Sequence, residues 1–246
     1  MTNIRVSVVI SIYNSHKALA RQTKYLSDLS LPDDIEFIFV DDYSNPPHNI
    51  QEHPLRNLRI FATTNKLAWT QGLGRNLGAS YALGEYLFFT DIDHILSLEA
   101  LLVSRHFADD KMTFPRYFGV LLEDGTLTQD LDVLLDYGFD SARLEKRGLY
   151  ASVHGNTYLI KKSTFDLIGG YDLARCTLGY HPGSRRCEDV VFNAAWNRYA
   201  GQRGILPAQG PHIYLFPIGR YHIRKETNPM GLFHDLSYEE RPATKE

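Results

Sequence analysis

Four short apolar runs in the first 93 residues each stop on a polar cluster, and this repeated pattern limits the fold more than any other feature. Val6 to Ile12 runs into Tyr13-Asn14-Ser15. Ile35 to Val40 runs into Asp41-Asp42, Leu58 to Ala62 into Thr63-Thr64-Asn65, and Glu85 to Thr90 into Asp91-Ile92-Asp93. Runs this short, rich in β-branched and aromatic residues and apolar on both faces, are strands covered on both sides. Helical spacing separates them. Leu19, Tyr25, Leu26 and Leu29 repeat within residues 16–30 before the breaker Pro32, and Leu73, Leu77 and Ala82 point inward within 70–83 before Gly84. The order strand, helix, strand, strand, helix, strand predicts an α/β fold with a mostly parallel sheet. In such sheets ligands gather beyond the carboxyl ends of the strands, and here those ends carry hydrogen-bonding or cation-binding side chains.

The second half is less periodic. It predicts a helix over 95–107, one or two strands over 112–122, an acidic amphipathic segment over 126–137 and a strand over 153–160. A short helix over 163–168 ends at Gly169-Gly170, and a longer one over 188–200 opens on Glu188-Asp189. No linker composition divides the chain. Residues 1–246 are read as one fused domain, with a nucleotide half (1–94), an acceptor half (95–236) and a loose polar tail (237–246).

Charge and composition narrow the partners. A net charge of −3 offers no basic excess for nucleic acid or anionic lipid. No window approaches the roughly 20 apolar residues of a membrane span, and Met1 to Val6 does not open a signal peptide. A membrane-borne substrate would be met from the water side, by peripheral contact. Cys176 and Cys187 lack metal-ligand spacing and read as reduced thiols of a cytoplasmic protein, with a single bridge between them as the alternative. The oligomeric state is not legible.

The strand ends carry the chemistry. In an extended chain a spacing of two puts Asp91 and Asp93 on one face, where two hard oxygen ligands could hold Mg2+ or Mn2+ against a diphosphate. The competing structural reading is a helix cap, since Ser97 and Glu99 follow. One of Asp41 and Asp42 could cap the turn at Pro46-Pro47. Asp42 could also accept from a base or ribose, with Tyr13 flanking the base and Ser11 bonding its edge. Gly72-Leu73-Gly74-Arg75-Asn76-Leu77-Gly78 is one residue too long for a dinucleotide fingerprint and lies within a helix pattern. Its glycines suit close helix–sheet packing, and Arg75 suits a phosphate or base edge. Glu188-Asp189 could cap its helix or supply a general base. His222 is a candidate third metal ligand; His154, His181 and His212 are weaker ones.

These motifs, in this order, resemble glycosyltransferase family 2 and the GT-A fold. They are Ser11-Ile12-Tyr13-Asn14, Val40-Asp41-Asp42-Tyr43-Ser44, Arg75-Asn76-Leu77-Gly78, Asp91-Ile92-Asp93, Gly169-Gly170-Tyr171-Asp172 and Glu188-Asp189-Val190. The acceptor half is similar to galactosyl- and N-acetylgalactosaminyltransferases. The resemblance implies donor binding by Ser11, Tyr13, Asn14, Asp42, Arg75, Asp91, Ile92 and Asp93, and metal ligation by Asp93 with Asp91 and His222. It implies a catalytic base at Asp189. Acceptor contacts are expected at Gly155, Asn156 and Glu188. Tyr43 replaces the family's usual small residue, and no Q-x-x-R-W motif follows the E-D segment.

The function expected is an inverting, non-processive, metal-dependent transfer of a sugar from a nucleotide-sugar, read as a UDP-sugar, to a glycan or other hydroxyl acceptor. Two alternatives stand beside it: a non-catalytic nucleotide-sugar or glycan-binding module, and a sugar-nucleotide pyrophosphorylase. The second would need a Gly-rich, Arg-containing loop where Tyr13-Asn14-Ser15-His16 stands.

Overall fold

A computed structural model of the chain describes residues 3–64, 70–137, 139, 141–175 and 188–216. The first half contains β1 (Val6–Ile12), α1 (His16–Asp28), β2 (Ile35–Asp41), β3 (Leu58–Ala62), α2 (Gln71–Tyr81) and β4 (Tyr86–Thr90). Next come β5 (His94–Ile95), α3 (Leu98–His106), β6 (Lys111–Thr113), β7 (Arg116–Phe118), β8 (Val120–Leu121), β9 (Leu127–Thr128), α4 (Leu131–Asp136) and α5 (Ser141–Arg147). The last elements are β10 (Tyr158–Lys161), α6 (Lys162–Ile168), α7 (Glu188–Gly201), β11 (Ala208–Gln209) and β12 (Ile213–Leu215).

A seven-stranded sheet runs β11-β6-β10-β4-β1-β2-β3 and so draws on both halves of the chain. The block β4-β1-β2-β3 is parallel, as the sequence predicts. β10 pairs antiparallel with β4 and with β6. A three-stranded sheet, β5-β12-β7, and the β8-β9 pair complete the described strands.

Alternation within the central strands divides the core between the two faces of the sheet. Val6, Val8, Ile10, Phe37, Phe39 and Phe88 pack with Leu19 and Leu26 of α1 and Leu101 of α3. On the other face Val9, Ile38, Val40, Leu87 and Phe89 pack with Ala79 of α2 and with Phe192 and Trp196 of α7. Buried Ser7 and Glu36 satisfy each other across β1 and β2 at 2.6 Å, and Glu36 also accepts from Arg59 Nη2 at 2.6 Å.

Three expectations are corrected. Leu73 and Leu77 are only partly buried; α2 turns Gly72, Gly74, Arg75, Gly78 and Ala79 inward. A Cβ on Gly74 would stand 2.6 Å from Ser11 Oγ, so the helix lies too close to β1 for larger residues. The strand expected over 153–160 begins only at Tyr158, after a loop in which Ser152 has φ of 74°. The helix α5, whose one large aliphatic residue is Leu144, carries little periodic signal and was not foreseen.

Candidate active site

Strand register brings three polar ends together. Ile10 lies beside Thr90, so Ser11 of β1 adjoins Asp91 after β4. Ile12 lies beside Asp41, and the Asp42 N–H donates to the Ile12 carbonyl at 2.8 Å. Ser11, Asp42 and Asp91 therefore share one edge of the sheet, with β1 in the middle.

The two acids after β2 divide their work. Asp41 is a turn anchor: its carboxylate accepts the backbone N–H groups of Ser44 and His48, each at 2.9 Å. Asp42 is 1% exposed and accepts from the Thr70 N–H at 2.5 Å, from the Thr70 hydroxyl, and from Thr63 Oγ1 at 3.3 Å. It thus ties the start of α2 to the end of β2. Asn14 has φ of 45°. Its N–H donates to Ser44 Oγ at 2.8 Å, and its Oδ1 accepts from the Asn45 N–H at 2.8 Å. Tyr13 is partly buried beside it.

Beyond Thr90 the chain is not extended. The His94 N–H donates to the Asp91 carbonyl at 3.0 Å and closes a turn over 91–94. This corrects the expectation that period two aligns Asp91 and Asp93; the turn separates their roles. The Asp91 side chain is 16% exposed and pairs with Arg75 Nη2 at 2.5 Å. The Asp93 side chain is 35% exposed, with an oxygen 4.0 Å from His94 Nε2. Ile92 is partly buried, and its carbonyl accepts from Gln22 Nε2 at 3.2 Å.

Arg75 lies beneath this edge, fully buried. Its Nη1 donates to Asn156 Oδ1 at 2.9 Å and to the Tyr171 hydroxyl at 2.8 Å, while Tyr158 and Tyr171 join hydroxyls at 2.7 Å. Burial would lift the Asp91 pKa, but the adjacent guanidinium, together with His94, His154 and a hydrogen bond from Asn156, outweighs it and holds the carboxyl below its ordinary value. The Arg75 group expected to reach donor phosphate is therefore committed to Asp91 from below. Asn156, expected to contact acceptor, is 7% exposed and belongs to the same layer, and Glu188 is 6% exposed at the start of α7. Sequence reading missed the Tyr171 hydroxyl, although the residue stands in the Gly-Gly-Tyr-Asp motif.

Asp91, His94 and His154 bring one potential ligand atom each within 4.8 Å of one another. Hydrogen bonding distinguishes the two imidazoles. His94 is 2% exposed, with Nδ1 2.5 Å from the Thr157 hydroxyl and Nε2 2.7 Å from Arg116 Nη1. Guanidinium can only donate, so His94 Nε2 is an acceptor and its lone pair is occupied. Burial pushes the His94 pKa down to about 3, in keeping with a neutral ring. His154 Nδ1 accepts the Asn156 N–H at 3.2 Å and lies 4.0 Å from Asp91 Oδ2. Burial lowers its pKa as well. The single lone pair of His154 Nδ1 is thus occupied too, which leaves carboxylate oxygen, of Asp91 and of Asp93 two residues along, as the donors a cation could use. This donor set fits a divalent cation. The Asp91-Ile92-Asp93-His94 run was the available signal for His94; His154, 60 or more residues downstream, was legible only as one of three weaker histidine candidates.

Asp189 is in the first turn of α7, partly buried. A Cβ on Gly155 would stand 3.4 Å from Asp189 Oδ2, so Asp189 borders the loop that carries His154. His222, Cys176 and Cys187 lie outside the described residues, as does the 237–246 tail.

Residues 7–112 match the family described as glycosyltransferase like family 2. No curated protein sequence matches the chain. Solved structures share its fold, among them the following two. TarS (1–349) from S. aureus aligns at 14% identity over 87% of this chain and 61% of its own length, with a TM-score of 0.53. The mannosyltransferase PcManGT from Pyrobaculum calidifontis, in complex with GDP-Man and Mn2+, aligns at 15% over 89% of this chain and 58% of its own, with a TM-score of 0.56. The chain thus spans about three fifths of the length of these neighbours. Residues 7–112 are similar to glycosyltransferase family 2, and the architecture of the chain is the GT-A fold. No helix among the described residues is long and apolar enough to cross a membrane.

Proposed function

We propose that the protein transfers a sugar from a nucleotide-sugar donor to an acceptor hydroxyl, with inversion at the anomeric carbon. The observation that carries this reading is the convergence of Asp91, His154 and Asp189 about one loop, at the edge where β1, β2 and β4 end. Ser11, Tyr13, Asn14 and Asp42 form the nucleoside side. Asp91 and Asp93 serve the diphosphate side, with Mn2+ or Mg2+ as cofactor. When bound, the cation would neutralise charge growing on the departing diphosphate. Asp189 accepts the acceptor proton as the hydroxyl attacks, and Gly155 borders the acceptor. Arg75 keeps Asp91 ionised and fixed.

The donor is read as a UDP-sugar. The GDP-Man of the P. calidifontis neighbour makes a GDP-sugar the competitor to test. Thermal shift against UDP, GDP, CMP and dTDP with Mn2+, then with intact sugars, ranks the donors. A ligand at 100 times its dissociation constant stabilises by about 2.7 kcal/mol. Asp189→Asn is expected to lower turnover about 10²- to 10⁴-fold while donor affinity stays. Turnover equal to that of the parent would remove Asp189 as base. Slow hydrolysis of the sugar nucleotide without acceptor would separate a catalyst from a binding module.

A further inference from the structure

Lys111, the first residue of β6, is 3% exposed, yet among the described residues no carboxylate lies within ion-pair distance of it. Its Nζ donates to Asn193 Oδ1 at 3.2 Å. It sits over the rings of Tyr158, Trp196 and Phe192 at 4.4, 5.0 and 5.5 Å. Ring faces and one amide oxygen offset only part of the cost of burying an ammonium. A methionine of similar length would fill the space more cheaply, so the amine's use lies in what it donates to.

Asn193 is four residues after Asp189 on α7, so the two side chains share a helix face. Both meet Gly155: a Cβ there would stand 2.6 Å from Asn193 Nδ2 and 3.4 Å from Asp189 Oδ2. An amide has an accepting end and a donating end. With Oδ1 taken by the Lys111 amine, Nδ2 is turned toward Gly155. The flipped amide would set N–H groups against an ammonium that can only donate. Even neutral, the amine carries two N–H groups against one lone pair, so the observed orientation keeps its advantage.

We infer that Lys111 is a positioning residue: through the Asn193 amide it seats α7 against Gly155 and so fixes Asp189 at the acceptor side. This rests on the transfer reading above. The test uses Lys111→Met, Asn193→Ala, their double variant and Gly155→Ala in the full chain. It measures nucleotide release from UDP-glucose and GDP-mannose, Mn2+-dependent binding of UDP and GDP, and the side-chain amide NMR signal of Asn193. Lys111→Met should lower kcat by about 10- to 100-fold, with donor KM and nucleotide affinity unchanged, and should move or broaden the Asn193 amide signal. The double variant should be no slower than Asn193→Ala alone. Gly155→Ala, which pushes on the same contact from the loop side, should show the same split between kcat and KM. Wild-type kcat in Lys111→Met, an unmoved Asn193 signal, or additive losses in the double variant would each overturn the inference. If the parent protein releases nucleotide from neither donor, the transfer reading fails for those sugars, and the Asn193 signal alone decides whether Lys111 orients that amide.

Discussion

Replacing Lys111 with methionine should change stability in a way that depends on pH. Burial pushes the amine from 10.5 down to about 7. At about 1.36 kcal/mol per pKa unit, holding the proton there costs the folded state about 5 kcal/mol relative to water. The sign follows from the two states. Above pH 10.5 the amine is neutral in both, and this cost vanishes. As pH falls, the unfolded chain takes up a proton that the folded chain refuses, and stability drops by up to about 1.36 kcal/mol per pH unit. The drop ends near pH 7, where the folded state also binds the proton. Integrated from pH 9 to pH 7, it amounts to about 2 kcal/mol. Lys111→Met lacks this slope. It also leaves the partly buried Asn193 Oδ1 without its donor, which costs about 1–3 kcal/mol at any pH. The variant should therefore be more stable than its parent at pH 7, by about 1–3 kcal/mol, and should lose about 2 kcal/mol of that advantage by pH 9. Urea denaturation of both proteins at pH 7, 8 and 9 measures this, read as midpoint shifts at constant slope. A difference between the two proteins that stays flat across pH would refute the reasoning.

Other substitutions probe the site's support. Arg75→Met leaves Asp91 buried without its cation and should cost about 3–5 kcal/mol; a denaturation midpoint near that of the parent would show that the guanidinium does not hold the carboxylate. Asp93→Ala removes a partly exposed side chain, so stability should change by less than about 0.5 kcal/mol. Calorimetry should show that the dependence of nucleotide affinity on Mn2+ is lost; equal affinities with and without manganese in the parent would count against the cation site. Gly78→Ala would drive a Cβ into Val9 and Val40. It should cost about 1–3 kcal/mol by overpacking, although alanine is the better helix former by about 1 kcal/mol; a gain in melting temperature would mean that α2 can lift from the sheet.

The central strands were legible because burial on both faces leaves a dense apolar run, and their bounds in the structure match the runs within a residue. The inward face of α2 was misread for a related reason. Periodicity weights leucine, but a helix lying this close to β1 puts glycine inside and leaves Leu73 and Leu77 partly exposed. The loop before β10 read as strand because Val153 precedes the apolar run Tyr158-Leu159-Ile160 with no proline between, whereas the backbone turns at Ser152 and His154. Short motifs share one blind spot: they do not distinguish a side chain that reaches a ligand from one that supports it. Asp41 and Asp42 are adjacent, yet one anchors a turn and the other ties down α2. Arg75 and Asn156 were assigned to ligands, but burial places them in the layer beneath.

The same distinction applies to the cation. Proximity alone assembles Asp91, His94 and His154. Counting electron pairs leaves fewer candidates, since Thr157 and Arg116 occupy both nitrogens of His94. A metal could claim that ring only by displacing a buried guanidinium, and two cations competing for one lone pair repel each other. Asp91 is different. Arg75 takes one of its oxygens from below, and the other lies 4.0 Å from His154 Nδ1, whose one lone pair already accepts the Asn156 N–H. With its lone pair taken, His154 Nδ1 gives that oxygen neither a proton nor a ligand partner, so the carboxylates of Asp91 and Asp93 remain the donors for a cation. A divalent cation would therefore be held by carboxylate oxygen, and His154 Nδ1 would join it only by releasing the Asn156 N–H.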